Sequence, residues 1–227
     1  MKHALIVGGS KGLGLGLVHE HLARGWRVTT TERTPSAELG TLRQQANGHL
    51  TIETLDIVKL EQVAALARKL REAKFDLLFL NAGIMAGRGL PLSDVPEPDI
   101  SGIFLTNAIS PIRVADALAD TVAPDGMIAF MSSILGSIGT NEDGRAELYR
   151  ASKAALNSLV RSFRARNKRR DLTVLALHPG VVRTSMGGAG APLDIETSVR
   201  GLADVMETRW GQGGQAFVDY QNQIIPW

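Results

Sequence analysis

The chain has 227 residues, 44% of them hydrophobic and 21% charged, which suits one large globular domain or at most two small ones. A formal net charge of +2 gives no strong attraction to nucleic acid or membranes, and the lack of cysteine excludes disulfides, cysteine nucleophiles and thiolate metal sites. The N-terminal apolar run is too short for a signal peptide, and no run reaches eighteen apolar residues. We therefore expect a cytoplasmic protein without a membrane segment.

Short apolar runs rich in β-branched residues predict strands at 4–7, 27–31, 50–55, 75–80, 127–131, 173–177 and 215–218. Segments with helical spacing of apolar residues lie between several of them, at 13–24, 60–70 and 148–163. Buried strands that alternate with helices indicate a parallel sheet covered on both faces. The sequence thus predicts an α/β protein with a doubly wound Rossmann fold, about seven strands and a single domain over residues 1–227.

A glycine-rich segment, Gly8 to Gly14, directly follows the first predicted strand and opens the first predicted helix. Glycines at positions 8, 12 and 14 let backbone amides approach a pyrophosphate, and the helix N-terminus adds partial positive charge. A purely structural turn is the alternative, but the strand, turn and helix order favours a nucleotide site. Its expected contacts include Ser10, Lys11 and Leu13.

The end of the second strand bears on the choice of cofactor. Glu32 can accept hydrogen bonds from a ribose 2′-hydroxyl and would repel a 2′-phosphate, which favours NAD(H). Lys11 and Arg33 could instead hold such a phosphate, unless one of them simply pairs with Glu32. The residues lean slightly to NAD(H) and leave NADP(H) open.

Tyr149 and Lys153 are four residues apart in a predicted helix and so share one face. A free tyrosine ionises near pH ~10, so a phenol that exchanges protons near neutrality needs a nearby cation in a sheltered cleft. A half-buried ring beside a solvated lysine would give the same spacing. The pair predicts general acid–base chemistry in which Lys153 lowers the phenol pKa.

These motifs, in this order, resemble the classical type of the short-chain dehydrogenase/reductase family over essentially the whole chain. Asn81-Ala82-Gly83 follows the fourth strand, Ser133 ends the fifth, and Pro179-Gly180-Val181-Val182-Arg183-Thr184 follows the sixth. The Pro226-Trp227 terminus and the segment 133–137 are similar to the C-factor/sniffer-like carbonyl reductase subgroup.

The resemblance implies a catalytic set of Ser133, Tyr149, Lys153 and Asn107, in which Ser133 binds the substrate oxygen and Asn107 anchors a water beside Lys153. It also implies cofactor contacts from Tyr149 and Lys153 and from the following residues: Asp56, Ile57, Asn81, Ala82, Gly83, Pro179, Gly180, Val182 and Thr184. The implied activity is NAD(P)(H)-dependent hydride transfer between the nicotinamide and a carbonyl or alcohol. The alternative is a cofactor-binding regulatory or signalling protein of C-factor type.

Three further expectations concern the surroundings of the site. The segment 141–147 lengthens the spacing from Ser133 to Tyr149 and should enlarge a loop at the mouth, while 185–192 could be a glycine-hinged flap over a small-molecule substrate.

The basic residues from 161 to 170 fit a helix C-terminus, and the histidines are scattered, so we expect neither nucleic acid nor metal. By the same resemblance the chain would form a homodimer or homotetramer, with a monomer left open.

Overall fold

The strands of the computed structural model, which describes residues 1–227, arise where the apolar runs occur. They are β1 (His3–Val7), β2 (Arg27–Glu32), β3 (Leu50–Thr54), β4 (Phe75–Leu80), β5 (Val122–Met131), β6 (Thr173–His178) and β7 (Gln215–Asp219). All neighbouring strands are parallel, in the order β3-β2-β1-β4-β5-β6-β7. The predicted seven-stranded doubly wound sheet is confirmed, and its order reverses between β1 and β4, where ligands bind in such folds.

The helices are α1 (Gly12–Ala23), α2 (Ala37–Gln45), α3 (Leu60–Leu70), α4 (Glu97–Phe104), α5 (Ser110–Leu118), α6 (Glu147–Arg166) and α7 (Ile195–Thr208). None of them is long and apolar enough to cross a membrane. The sequence patterns identified α1, α3 and α6. α7 carries a signal that could have been found, because Asp194 caps its N-terminus and Val199, Leu202 and Met206 bury one face.

Alternating strand residues divide the core into two layers. Leu5 and Val7 face one cluster, which α3, α5 and α6 cover, whereas Ala4 and Ile6 face the other, which α1, α2 and α7 cover. β5 differs from the prediction, since it begins at Val122 rather than at 127. The first part of the strand contains Pro124, Asp125 and Gly126 and so lacks a continuous apolar pattern. Its register against β4 shifts between Phe75 and Leu77.

The outer edge of β7 is covered by the last residues of the chain. Ile225 donates from its backbone amide to the Phe217 carbonyl, and the Asp219 amide donates to the Gln223 carbonyl. Ile224 forms an antiparallel bridge with Val218, and the Trp227 ring lies 5.5 Å from that of Phe217. The C-terminal segment therefore folds back as a short cover on this edge of the sheet.

Candidate active site

A single large cavity of about 1190 Å³ opens at the carboxyl ends of the strands. The predicted site residues line it, with three exceptions: Gly14, Glu32 and Asn107. Parallel strands bring their carboxyl ends to one edge of the sheet, and this explains how residues spread over most of the chain meet there.

The glycine turn is built to keep a side chain away from the cavity floor. Gly8 has a φ of +88°, its amide donates to Thr31 Oγ1 at 2.9 Å, and its carbonyl accepts from Asn81 Nδ2 at 2.8 Å. A Cβ on Gly14 would collide with the Gly8 carbonyl oxygen and lie 2.6 Å from Asn81 Nδ2. The turn thus offers bare main chain at a helix N-terminus, which fits a dinucleotide pyrophosphate. Thr31, which holds the turn, was not predicted from sequence.

The charged groups at the end of β2 are arranged differently from the sequence expectation. The Glu32 carboxylate accepts a 2.8 Å hydrogen bond from the Ser36 amide and does not line the cavity. Lys11 and Arg33 both line the cavity, and neither forms an ion pair with Glu32. At the end of β2 the cavity wall therefore carries two cations and no glutamate carboxylate, and the alternative in which Lys11 or Arg33 pairs with Glu32 is wrong.

Tyr149 and Lys153 are both buried on the cavity-facing side of α6. Burial raises the pKa of Tyr149 to about 12, and the nearby Ser133 hydroxyl opposes this rise. Burial also lowers the pKa of Lys153 to about 8, while its Nζ donates a 2.8 Å hydrogen bond to the Met131 carbonyl. In this arrangement desolvation dominates the pKa of both groups and the ammonium donates to a backbone carbonyl, so the lowering of the phenol pKa by Lys153 stays a prediction.

Asn107 lies behind the cavity in a π-helical segment, Leu105–Ile109, between α4 and α5. Its carboxamide is held at both ends: Oδ1 accepts from the Ile84 amide, and Nδ2 donates to the Ile84 carbonyl and to Ser152 Oγ. A Cβ at Gly83 would lie 3.4 Å from Asn107 Oδ1 and 3.6 Å from Lys153 Nζ. Both side chains therefore border this glycine. Single π-turns of this kind are frequent at functional sites.

Ser133 begins a short 3₁₀ turn, Ile134–Gly136, directly after β5. Its Oγ accepts a 3.2 Å hydrogen bond from the Leu135 amide, so the hydroxyl can donate its proton toward the Tyr149 phenol or a substrate oxygen. The residue is 8% exposed and lines the same cavity as Tyr149.

The part of the cavity wall around Tyr149 is mainly apolar. Leu148 and Tyr149 pack in a small cluster with Val95, and Met85 and Met186 lie against it. Arg88 Nη2 donates a 2.6 Å hydrogen bond to the Met186 carbonyl, so the loop after β4 is joined to the segment 185–192. This half of the cavity suits a small molecule with apolar substituents.

The segment 141–147 lies at the mouth, as expected, and is tied to α6. Arg150, only 7% exposed, donates from Nη2 to Asp143 Oδ1 at 2.8 Å and from Nε to the Arg145 carbonyl at 2.7 Å. The hydrogen bonds to Asp143 hold the pKa of its carboxyl at about 2. Sequence reasoning missed Arg150, since only the folded chain shows that its side chain is buried.

The segment after β6 contributes the remaining wall. Ser198 Oγ donates a 2.6 Å hydrogen bond to the Pro179 carbonyl, and Gly180 has a φ of +81°. His178, also missed, lines the cavity with its Nδ1 atom buried and without a partner. Burial lowers the pKa of His178 to about 4, in spite of the opposing charge of Asp219.

Two of the basic residues near the end of α6 form contacts within the fold. Arg166 pairs with Asp116, and Arg169 donates to the carbonyls of Ala119, Ala123 and Pro124, so these cations bind α5 and the start of β5. No group of three or more His, Asp or Glu residues is placed to hold a metal ion.

Comparison with known proteins places the chain in a family. The model of the short chain dehydrogenase family matches residues 2–191. The chain belongs to this family. Its relatives include C-signal of Myxococcus xanthus, with 38% identity over 154 residues, which are 67% of this chain and 92% of that protein.

Two solved structures refine the family assignment. A short-chain dehydrogenase/reductase from Burkholderia multivorans with bound NADP has a TM-score of 0.97 and 42% identity, with 100% of this chain and 99% of that chain covered. The carbonyl reductase Sniffer of D. melanogaster has a TM-score of 0.89 and 30% identity, with both chains covered in full. The predicted resemblance to the C-factor/sniffer-like subgroup is confirmed. This short-chain dehydrogenase is an oxidoreductase that acts with a nicotinamide cofactor.

Proposed function

We propose that this short-chain dehydrogenase is an NADP(H)-dependent carbonyl reductase in which Tyr149 is the proton donor. The observation that carries the proposal is the Tyr149 phenol itself: it is buried beside Lys153 and Ser133 and faces the cavity. When bound, the nicotinamide supplies the hydride to the carbonyl carbon. A raised pKa keeps the phenol protonated, as the reduction of a carbonyl requires.

Each remaining catalytic residue has a role that its contacts support. Ser133 lies beside the phenol and can donate its hydroxyl proton to the substrate oxygen, while its Oγ accepts from the Leu135 amide. Lys153 is held by the Met131 carbonyl at a fixed position, from which it can bind a ribose hydroxyl and return a proton to Tyr149. Asn107 holds the main chain of Ile84 and borders Gly83, as Lys153 does, so it fixes the cavity wall next to Lys153.

The choice of NADP(H) over NAD(H) is part of the proposal. Lys11 and Arg33 line the cavity without an acidic partner, and Arg can bind a phosphate in bidentate fashion. Glu32, on which the lean to NAD(H) rested, is held by the Ser36 amide outside the cavity wall. The similar Burkholderia protein has NADP bound. Asp56, Ile57 and the segment after β6 would contact the adenine and nicotinamide ends.

For the substrate we propose aldehydes, ketones or diketones with bulky apolar substituents. The support is the lining near Tyr149, where Val95, Leu148 and Met186 leave room for such groups. The segment 185–192 would act as a flap, with Arg88 as its attachment to the loop after β4. This arrangement lets the flap shield the reacting atoms from water.

The test is oxidation of NADPH and of NADH, followed by absorbance, over a panel of aldehydes, ketones and diketones. We expect turnover with NADPH on at least one apolar carbonyl and its loss in Tyr149→Phe. The similarity to C-signal favours one other candidate, a cofactor-binding signalling protein. Tight NADPH binding without turnover on any compound would support that candidate and contradict the reductase.

A further inference from the structure

One buried side chain on α6, that of Asn157, is hydrogen-bonded to both ends of the turn that carries Ser133. Ser132 Oγ donates a 2.6 Å hydrogen bond to Asn157 Oδ1, and Asn157 Nδ2 donates a 3.2 Å hydrogen bond to the Gly136 carbonyl. Asn157 is 3% exposed, so water does not compete for these bonds. A single carboxamide thus spans the turn from the residue before Ser133 to the residue that ends it.

The same face of α6 carries the acid–base pair. Tyr149, Lys153 and Asn157 are spaced four residues apart, so they lie in a row along the helix. A Cβ at Gly136 would lie 2.8 Å from the Lys153 carbonyl carbon, which means that the turn is seated against the helix main chain without space for a side chain. The distance from Ser133 to Tyr149 therefore depends on how this turn is held on α6.

We propose that Asn157 is a positioning residue for the reduction, and that it acts through Ser133. This role rests on the proposed function, in which the Ser133 hydroxyl binds the substrate oxygen. Ser133 reaches the cavity from a turn whose two ends are attached to α6 by the hydrogen bonds of Asn157. Without them the hydroxyl would lose its fixed place relative to the phenol, and a shift of about 1 Å can cost on the order of 100-fold in rate.

Asn157 is suited to this task by its chemistry. The carboxamide supplies one acceptor and one donor at fixed separation, and each is matched to a group of the opposite kind. Aspartate at this position would keep the acceptor for Ser132 but set a carboxylate oxygen against the Gly136 carbonyl. Ser132→Ala would remove the hydrogen bond to Asn157 Oδ1 and leave the one from Asn157 Nδ2 to the Gly136 carbonyl in place.

The experiment measures kcat and KM for NADPH and for a carbonyl substrate in Asn157→Ala, Ser132→Ala and Asn157→Asp. We expect kcat to fall at least tenfold in each, with KM for NADPH within a few-fold, because the cofactor loop is untouched. Thr121→Val is the control: it removes a buried hydroxyl that donates 2.7 Å to the Leu118 carbonyl away from the cavity. It should lower thermal stability as Ser132→Ala does and leave kcat unchanged.

A double-variant comparison separates positioning from general destabilisation. In a Ser133→Ala background, Asn157→Ala should cost less than twofold in kcat/KM, since the group that it positions is already absent. An equal fold loss in both backgrounds, or a loss below twofold in the otherwise unchanged chain, would overturn the proposal. If that chain reduces carbonyls and Tyr149→Phe does not, the proposed function stands whatever the Asn157 variants do.

Discussion

The Lys153 Nζ atom lies 5.8 Å from the centroid of the Tyr149 ring and donates its hydrogen bond to a backbone carbonyl rather than toward the phenol. Ammonium and ring are thus close without forming a direct bond between their polar ends. In this arrangement burial sets the pKa of both groups, upward for the phenol and downward for the amine. A raised phenol pKa keeps Tyr149 protonated, which is the form that a reductase needs at the start of the reaction.

Tyr149→Phe should abolish turnover while the affinity for NADPH stays within a few-fold, since only the proton donor is removed. General acid catalysis contributes roughly 100- to 10,000-fold, so we expect a loss of kcat in that range or above. Tyr220→Phe is the matched control, because Tyr220 is the only other tyrosine and lies outside the cavity lining. Equal activity in the two variants would remove Tyr149 from the mechanism.

Arg33→Ala and Lys11→Ala should each raise KM for NADPH roughly tenfold or more, because a hydrogen bond to a charged group contributes ~1.5–3 kcal/mol. The KM for NADH should change by no more than a few-fold. Arg43→Ala, which removes an exposed cation from α2 outside the cavity, should affect neither. Parallel losses for NADH and NADPH would show that the two cations do not recognise the extra phosphate.

Gly14→Ala should abolish cofactor binding and destabilise the protein by ~1–3 kcal/mol, since the new methyl group collides with the Gly8 carbonyl and crowds Asn81. Urea unfolding and a cofactor titration measure the two effects. Gly40→Ala serves as the control, because a Cβ there meets nothing within 4 Å in helix α2. That change should leave binding intact and stabilise by up to ~1 kcal/mol; normal cofactor affinity in Gly14→Ala would contradict the described turn.

His178→Gln should make stability less sensitive to acid. The folded pKa of His178 is about 4 against an ordinary 6.5, so below pH 6.5 the unfolded chain takes up the proton first and the folded state loses stability. At ~1.36 kcal/mol per unit, this one histidine accounts for roughly 3 kcal/mol of the loss between those two pH values.

The measurement for His178 is the free energy of unfolding in urea as a function of pH, with the slopes of the variants compared. His19→Gln is the control, since His19 is exposed on α1. It should follow the unchanged chain throughout. A His178→Gln slope that is no shallower than that of the unchanged chain would mean that the buried imidazole is already charged in the folded state.

Much of the fold could be predicted because it depends on local pattern. A continuous apolar run such as residues 77–80 is buried on both faces of a parallel sheet and shows this in its composition. The glycine turn and the spacing of Tyr149 and Lys153 are also local, so the cofactor end and the acid–base pair were found. α4 and α5 were harder, since the π-helical segment between them breaks the helical period.

The contacts that tune the site could not be read from the sequence, because each depends on which distant group arrives beside a side chain. An acidic residue at the position of Glu32 is typical of NAD(H) sites, yet its carboxylate accepts a hydrogen bond from the Ser36 amide and does not line the cavity. The row formed by Lys153 and Asn157 is visible in the spacing, but the turn that lies against it is not. The predicted homodimer or homotetramer and the cytoplasmic location stay predictions.

The cover on β7 has a consequence for how copies of this chain can associate. An exposed edge strand is a template on which a second chain can extend the sheet, and such edges promote aggregation. Here the Phe217 carbonyl and the Asp219 amide are already hydrogen-bonded to Ile225 and Gln223 of the C-terminal segment. A second chain could add a strand at β7 only after displacing that segment and the Trp227 ring. The C-terminal residues of this chain therefore oppose edge-to-edge association at β7.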